Sequence, residues 1–215
     1  MKRLVIVVVA VAALAAPLLV RAQEATPVGS PTANPLAPAP EDCTVEPISL
    51  DRLTPLIATP VPAVEPAASP VGSPTPFAMP EGRQADEATV SAITAAVHEY
   101  FACVNAGDYA RAFALFSDDL LREYLAGAIA GGSTAQQILD GLPPAQPLPA
   151  DQRTLIYGID DVRVLPDGRV AALVIGDDLS KPNPPGPALI YFVEVDGRWL
   201  GDGFVSTEEI VTPSP

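Results

Sequence analysis

Few residues of this chain could do chemistry, and they are scattered. The sequence of 215 residues has one histidine and two cysteines, without an HExxH, CxxC or GxSxG motif or a phosphate-binding loop. His98 lies beside the apolar stripe of a predicted helix, a position typical of a boundary residue and less often of a general base. Asp160 and Asp161 are neighbours in a predicted strand, so alternation points one of them inward unless a bulge intervenes. We therefore predict no catalytic residue, no metal site and no cofactor.

The aromatic residues are the remaining candidates for a binding pocket. They make up only 6% of the chain, so packing in the core is the simpler role for each of them. The ligand-pocket candidates are Tyr100, Tyr124, Tyr157, Tyr191, Phe192 and Trp199, together with His98 and Asp160.

The two cysteines are predicted to form a disulfide. Cys43 opens an apolar segment and Cys103 lies at the margin of a predicted helix. An exported protein meets an oxidising environment, and closing a loop of about 60 residues is worth roughly 4 kcal/mol in the chain-entropy model. The alternative is two unpaired thiols, with Cys103 buried as a small apolar residue.

A proline-free window predicts the helical part of the fold. None of the 26 prolines lies between Glu81 and Leu142. Apolar residues recur there at the three- and four-residue spacing of an amphipathic helix. Helix ends are predicted from N-caps at Asp86, Asp108 and Ser117, from a stop at Gly107, and from a capping box of Ser133 with Gln136.

The sequence after Pro144 changes to the pattern of strands. Four runs are rich in β-branched and aromatic residues: TLIYGIDDVRVL, RVAALVIG, ALIYFVEV and RWLGDGFV. Asp167-Gly168 and Asp196-Gly197 separate two pairs of these runs and indicate hairpins. Helices followed by antiparallel strands predict an α+β fold with helices on one face of a curved sheet.

Two stretches resemble the nuclear-transport-factor-2-like (SnoaL-like) superfamily over residues 83–205. They are AAVHEYFACVNAGDYARAFALFSDDLLREYL, which breaks at Gly107-Asp108, and the closing hairpin VEVDGRWLGDGF. The resemblance implies a cone-shaped barrel with a pocket between helices and sheet. Enzymes of this superfamily place carboxylates in that pocket, while many members have no known activity.

The N-terminus is predicted to be a secretory signal. Lys2 and Arg3 precede the apolar run from Leu4 to Val20, and cleavage is expected after Ala22. The alternative is an uncleaved membrane anchor, for which this run is at the short limit. We expect a secreted or cell-envelope protein, attached to a membrane only if the signal stays uncleaved.

Composition divides the rest of the chain. Proline-rich segments contain the hexapeptide PVGSPT twice, at Pro27–Thr32 and Pro70–Thr75, and are predicted to be extended and mobile. The predicted organisation is signal peptide 1–22, proline-rich linker 23–42, docking segment 43–57, proline-rich linker 58–82, α+β domain 83–206 and disordered tail 207–215.

Charge excludes some partners and leaves three classes of function. Without the signal the chain has nine basic and 26 acidic residues, a net charge of about −17, which opposes binding to nucleic acid. The classes are a domain that binds a small apolar ligand, a small-molecule isomerase, hydrolase or cyclase with a pocket carboxylate, and an interaction module, with a homodimer through the sheet face as one form. We favour the non-catalytic classes, because no acid–base set stands out.

Overall fold

The computed structural model describes residues 36–58, 79–178 and 186–206. Within them the chain is α+β, as the sequence predicts, with a five-stranded antiparallel sheet that remains open. The helices precede four of the strands, and the short first strand lies between the first two helices. The predicted signal, most of both linkers and the tail lie outside the described residues. In the described part of the chain, no helix is long and apolar enough to cross a membrane.

The segment before the domain packs against it over a longer stretch than the sequence predicts. Docking is expected at 43–57, but backbone contacts begin at Leu36, whose N–H and carbonyl each bond to Ile156 at 2.8 Å. Residues 36–42 are therefore part of the docked segment and not linker. Composition does not predict this contact, because the segment is rich in proline, which lacks a backbone N–H. Leu36 itself has the N–H that pairing needs.

Helices form the first half of the fold. A short 3₁₀ turn at Pro40–Asp42 precedes the helix of the docked segment. The helices are α1 (Leu50–Ala58), α2 (Glu87–Asn105), α3 (Tyr109–Ala114), α4 (Asp118–Tyr124), α5 (Ala126–Ala130) and α6 (Ala135–Asp140).

Local capping explains where most of these helices begin and end. The side chains of Asp86, Asp108 and Ser117 each accept a backbone N–H three residues on, as predicted. The capping box lies one residue later than predicted: it is formed by Thr134 and Gln137, not by Ser133 and Gln136. Gly107 has φ +63°, and a Cβ there would collide with the backbone of Gln146, so only glycine suits this stop.

The sheet follows the order of its strands in the chain. Its members are β1 (Arg83–Gln84), β2 (Thr154–Val164), β3 (Val170–Asp178), β4 (Gly186–Val195) and β5 (Arg198–Ser206). The predicted Asp-Gly turns join β2 to β3 and β4 to β5, with positive φ at Gly168, Asp196 and Gly197. β2 pairs irregularly around Tyr157 and again between Asp160 and Arg163.

Helix α2 lies against one face of the sheet and positions the candidate site. Its fully buried Ile93 and Val97 pack against alternate residues of β3, including Val170 and Val174. Because β-strand side chains alternate, the intervening Ala171 belongs to a separate small cluster on the other face.

The docked segment completes a second buried cluster together with α3 and α4. Cys43 and Cys103 form the predicted disulfide, with 4.6 Å between their α-carbons. Both residues are buried, and Leu53 and Leu56 of α1 belong to the same cluster. The bond therefore connects the segment covalently to α2 inside the core.

Asn105, at the end of α2, is a buried polar junction. Its amide N–H groups donate to the carbonyls of Pro38 at 2.9 Å and Thr154 at 3.2 Å, while its side-chain oxygen accepts the N–H of Thr154 at 2.8 Å. Its own carbonyl accepts the N–H of Leu148. One side chain thus connects the docked segment, α2 and the start of β2.

The outer edge of β5 also has a backbone partner. Gly201 accepts the N–H of Ser117 and donates to the carbonyl of Leu115, both at 2.8 Å. These bonds hold the α3–α4 junction, with Phe116 at its centre, against the last strand.

Candidate functional site

A small apolar cavity lies between α2, the α3–α4 junction and the last two strands. Its volume is about 10 Å³, which at most admits one water molecule. The residues that line it are Ala96, Val97, Tyr100, Leu115, Phe116, Ile190, Phe192, Trp199, Gly201 and Phe204. The pocket that the sequence predicts is therefore nearly filled by its own side chains.

Aromatic rings fill this predicted pocket. Tyr100 lies 5.5 Å from Phe116 and 5.8 Å from Phe204, measured between ring centroids. Phe116 in turn lies 5.6 Å from Phe204, with the two ring planes inclined at 61°. We call the six connected rings the aromatic cluster: Tyr100, Phe101, Phe113, Phe116, Tyr124 and Phe204.

The aromatic cluster continues from the cavity to the protein surface. Tyr124 contacts Phe113 and Phe116 yet is 63% exposed, and Phe204 is 42% exposed. Tyr109, which is 40% exposed, lies close enough to influence the ionisation of Tyr100. Large exposed aromatic side chains grouped in one place are typical of a binding surface.

Tyr100 joins the interior to this surface. Burial, and to a smaller extent the nearby phenols of Tyr124 and Tyr109, raise the pKa of its phenol to about 12. Its hydroxyl therefore stays protonated, and remains a hydrogen-bond donor, at every physiological pH.

The structure separates the residues predicted for the pocket. Tyr100 and Trp199 line the cavity, as does Phe192, and Tyr124 lies at the outer side of the aromatic cluster. Tyr191 packs with the small cluster on the other face of the sheet, where the guanidinium of Arg169 lies 5.3 Å from its ring centroid.

Three other predicted residues also lie away from the cavity. Tyr157 is half-buried at an irregular point of β2, His98 is half-buried on α2, and Asp160 is exposed. None of the three is among the described residues that line the cavity. The inward carboxylate that the strand pattern allows is not supplied by Asp160, because β2 bulges just beyond it.

Phe116 and Phe204 are the aromatic residues of the cavity lining that the sequence analysis missed. The signal for Phe204 is the Gly-Asp-Gly-Phe run at the end of the chain's last strand pattern. A Cβ on Gly201 would lie at ordinary contact distance from both rings, 3.6 Å from Phe204 and 3.7 Å from Phe116, so Gly201 packs directly beside them.

A second, polar depression of about 680 Å³ lies near the start of α4. Buried Ser117 donates its hydroxyl proton to Asp202 at 2.7 Å, and the guanidinium of Arg169 lies 3.4 Å from the other oxygen of Asp202. Arg52 of α1 donates to the carbonyls of Ala114 and Phe116.

These polar groups satisfy one another. Arg52 also pairs with Asp118 at 3.0 Å, and Arg169 pairs with Asp167 at 2.8 Å. The backbone N–H of Arg169, and then its guanidinium, hold the pKa of Asp167 below its ordinary value. We interpret this depression as a network that fixes α1 to the domain. Across the described residues no group of three potential metal ligands occurs.

Comparison of the chain with models of protein families, with curated proteins and with solved structures finds no match.

Proposed function

We propose that this chain is an exported, non-catalytic member of the nuclear-transport-factor-2-like (SnoaL-like) superfamily that binds a partner protein through its aromatic cluster. The long helix α2 that breaks at Gly107-Asp108 supports the superfamily, as does the closing hairpin with its Asp196-Gly197 turn. In this proposal the helices and the sheet form the cone-shaped barrel that the superfamily implies.

The nearly filled interior is the observation that carries this function. A cavity of about 10 Å³ is far below the several hundred Å³ of an ordinary small-molecule site. The rings of Tyr100, Phe116 and Phe204 occupy the space in which a ligand would lie. Binding therefore uses the outside of the aromatic cluster, where Tyr124 and Phe204 are exposed.

Two features support export and the class of partner. The disulfide between Cys43 and Cys103 suits an oxidising compartment. A net charge of about −17 after signal removal disfavours nucleic acid and anionic lipid, and it also opposes close contact with a second copy. A partner protein whose contact surface is neutral or basic would not be repelled by this negative charge.

A small apolar ligand is the second candidate, since the lining of the cavity is almost wholly apolar. It requires the half-exposed ring of Phe204 to swing outward and open the interior. A dimer through the sheet face and an isomerase, hydrolase or cyclase that uses a pocket carboxylate are the further alternatives.

Site-specific photo-crosslinking tests the proposal. A photoreactive phenylalanine analogue in place of Tyr124 should capture a protein partner in the exporting host. The same analogue at Asp160, which is exposed on β2 outside the aromatic cluster, is the matched control. Failure of position 124 to give any protein adduct above this control, together with an apolar compound extracted from the purified chain, would establish the ligand candidate instead.

A further inference from the structure

We propose that Arg52 of the docked segment is a positioning residue for the surface that binds the partner. It holds the α3–α4 junction, and the exposed rings of the aromatic cluster rest on that junction. The inference rests on the proposed function and adds to it that binding depends on the docked segment. Arg52 acts on the surface through the backbone around Phe116 and through the start of α4.

Phe116 is the ring that connects the buried and the exposed parts of the aromatic cluster. It is itself buried, and its centroid lies 5.5 Å from that of Tyr100 and 5.9 Å from that of Phe113. It also lies 6.1 Å from Tyr124 and 5.6 Å from Phe204, the two exposed rings. All four distances are in the range of favourable aromatic pairs. A shift of Phe116 would therefore remove support from both exposed rings.

The backbone around Phe116 is held from two sides. Helix α3 ends at Ala114, and the carbonyls at a helix end have no partner within the helix. The carbonyl of Leu115 accepts the N–H of Gly201 in β5 at 2.8 Å. The carbonyls of Ala114 and Phe116 both accept from the guanidinium of Arg52, the first at 3.0 Å. Of these three successive carbonyls, Arg52 therefore supplies the donors for two.

The same guanidinium also holds the first residue of α4. Its Nε donates to the carboxylate of Asp118 at 3.1 Å, and a second nitrogen lies 3.0 Å from the same oxygen. Tyr124 is the last residue of α4, so the place of this exposed ring depends on where the helix begins. One half-buried side chain, Arg52, thus positions both the buried ring of the junction and the helix that carries an exposed ring.

The docked segment gives Arg52 a rigid base. Leu53, the next residue of α1, is almost wholly buried, and the disulfide joins Cys43 to Cys103 of α2. A supporting side chain positions its partners well only when its own backbone is held by packing. The disulfide also keeps the segment attached when Arg52 is replaced, so a substitution there tests positioning separately from docking.

NMR of the full mature chain tests whether Arg52 sets the positions of the rings. Arg52→Gln removes the guanidinium that reaches the two carbonyls and Asp118. Without this support we expect Phe116 to move by about 1 Å, so that its nuclear Overhauser signals to the rings of Tyr124 and Phe204 weaken about twofold. A general loss of stability would not give this result, because ring contacts inside the molecules that stay folded would be unchanged.

The photoreactive analogue at position 124 measures the effect on binding. The yield of protein adducts in the Arg52→Gln chain should fall about tenfold, the factor that corresponds to loss of one good interface contact. Arg52→Lys keeps the positive charge but lacks the planar fork of donors, so its ring contacts and adduct yield should lie between those of Arg52→Gln and the parent. Arg52→Lys also takes the place of Arg52→Gln in both measurements if the latter does not fold.

Arg153→Gln is the matched control. Like Arg52, Arg153 is half-buried and donates from its guanidinium to a backbone carbonyl, that of Leu148 at 3.1 Å. Neither Arg153 nor Leu148 belongs to the aromatic cluster or to the α3–α4 junction. The ring contacts and the adduct yield of this variant should therefore equal those of the parent.

Each failure has its own meaning. Unchanged ring contacts in Arg52→Gln would overturn the inference, because Arg52 would then contribute to stability alone. Altered ring contacts with an unchanged adduct yield would also overturn it, since binding would not depend on the junction, and the proposed function would stand. Absence of adducts from position 124 in the parent would overturn the proposed function, and the dependence of binding on Arg52 with it.

Discussion

Replacement of Asn105 tests whether the docked segment belongs to the cooperative core. Asn105→Leu conserves side-chain volume but removes the two hydrogen bonds donated to Pro38 and Thr154 and the one accepted from Thr154. Each such bond contributes about 1 kcal/mol, and leaving the Thr154 N–H unpaired costs about 1 kcal/mol more. We expect a loss of about 4 kcal/mol in the free energy of unfolding.

Chemical denaturation and thermal melting measure this loss. At about 2 to 4 °C per kcal/mol for a chain of this length, the midpoint should fall by roughly 10 °C. The denaturant midpoint should fall while the slope stays constant, since the same surface is exposed on unfolding. Thr94→Val is the matched control, because among the described residues its hydroxyl bonds to the carbonyl of Val90 within the same helix, at 2.8 Å. It should cost less than about 1 kcal/mol.

Asn105→Asp should also make stability depend on pH, which a simple loss of packing would not do. The carboxylate would face the carbonyl oxygens of Pro38 and Thr154, so burial and repulsion raise its pKa in the folded state. A raised folded-state pKa gives stability that is present at low pH and is lost as pH rises above about 4. If the stability of Asn105→Asp did not depend on pH, or if Asn105→Leu lost less than about 1 kcal/mol in the free energy of unfolding, Asn105 would not be the buried junction that we describe.

Four further predictions concern the chain as a whole. Cys43→Ala combined with Cys103→Ala should lower the free energy of unfolding by up to about 4 kcal/mol under oxidising conditions, and the unreduced parent should show no free thiol when denatured. A chain that begins at Arg83 should be poorly folded, because it lacks the segment that completes a buried cluster; cooperative melting near the parent's midpoint would contradict this. Alkaline titration should show one phenol with a pKa of about 12 that Tyr100→Phe removes, and its contribution to stability should be lost as pH rises from about 10 through 12. N-terminal sequencing of the exported protein should begin at Gln23, whereas retention of the signal in membranes would favour an anchor.

Local interactions are the part of this fold that the sequence predicts well. Asp86, Asp108 and Ser117 cap their helices through hydrogen bonds that span three residues, so the whole signal lies in one short window. The capping box is displaced by one residue because both Ser133 and Thr134 are competent N-caps, and only the fold decides between them.

Contacts between distant residues account for what the sequence does not predict. The pairing of Leu36 with Ile156 depends on two residues 120 positions apart, and no local pattern connects them. The positions of the pocket candidates also depend on contacts between distant residues. Tyr191 and Phe192 are neighbours in one strand and so face opposite sides, and only the position of α2 shows which side is the cavity.

The backbone partners of the outer strands have a consequence for behaviour at high concentration. Free edge strands are templates for joining the strands of other molecules, and polymerisation begins there. Leu36 occupies the edge of β2 at Ile156, and the α3–α4 junction occupies that of β5 at Gly201. The docked segment therefore covers the edge of β2 at Ile156, and a protease that removed the segment would expose this edge to the strands of other molecules.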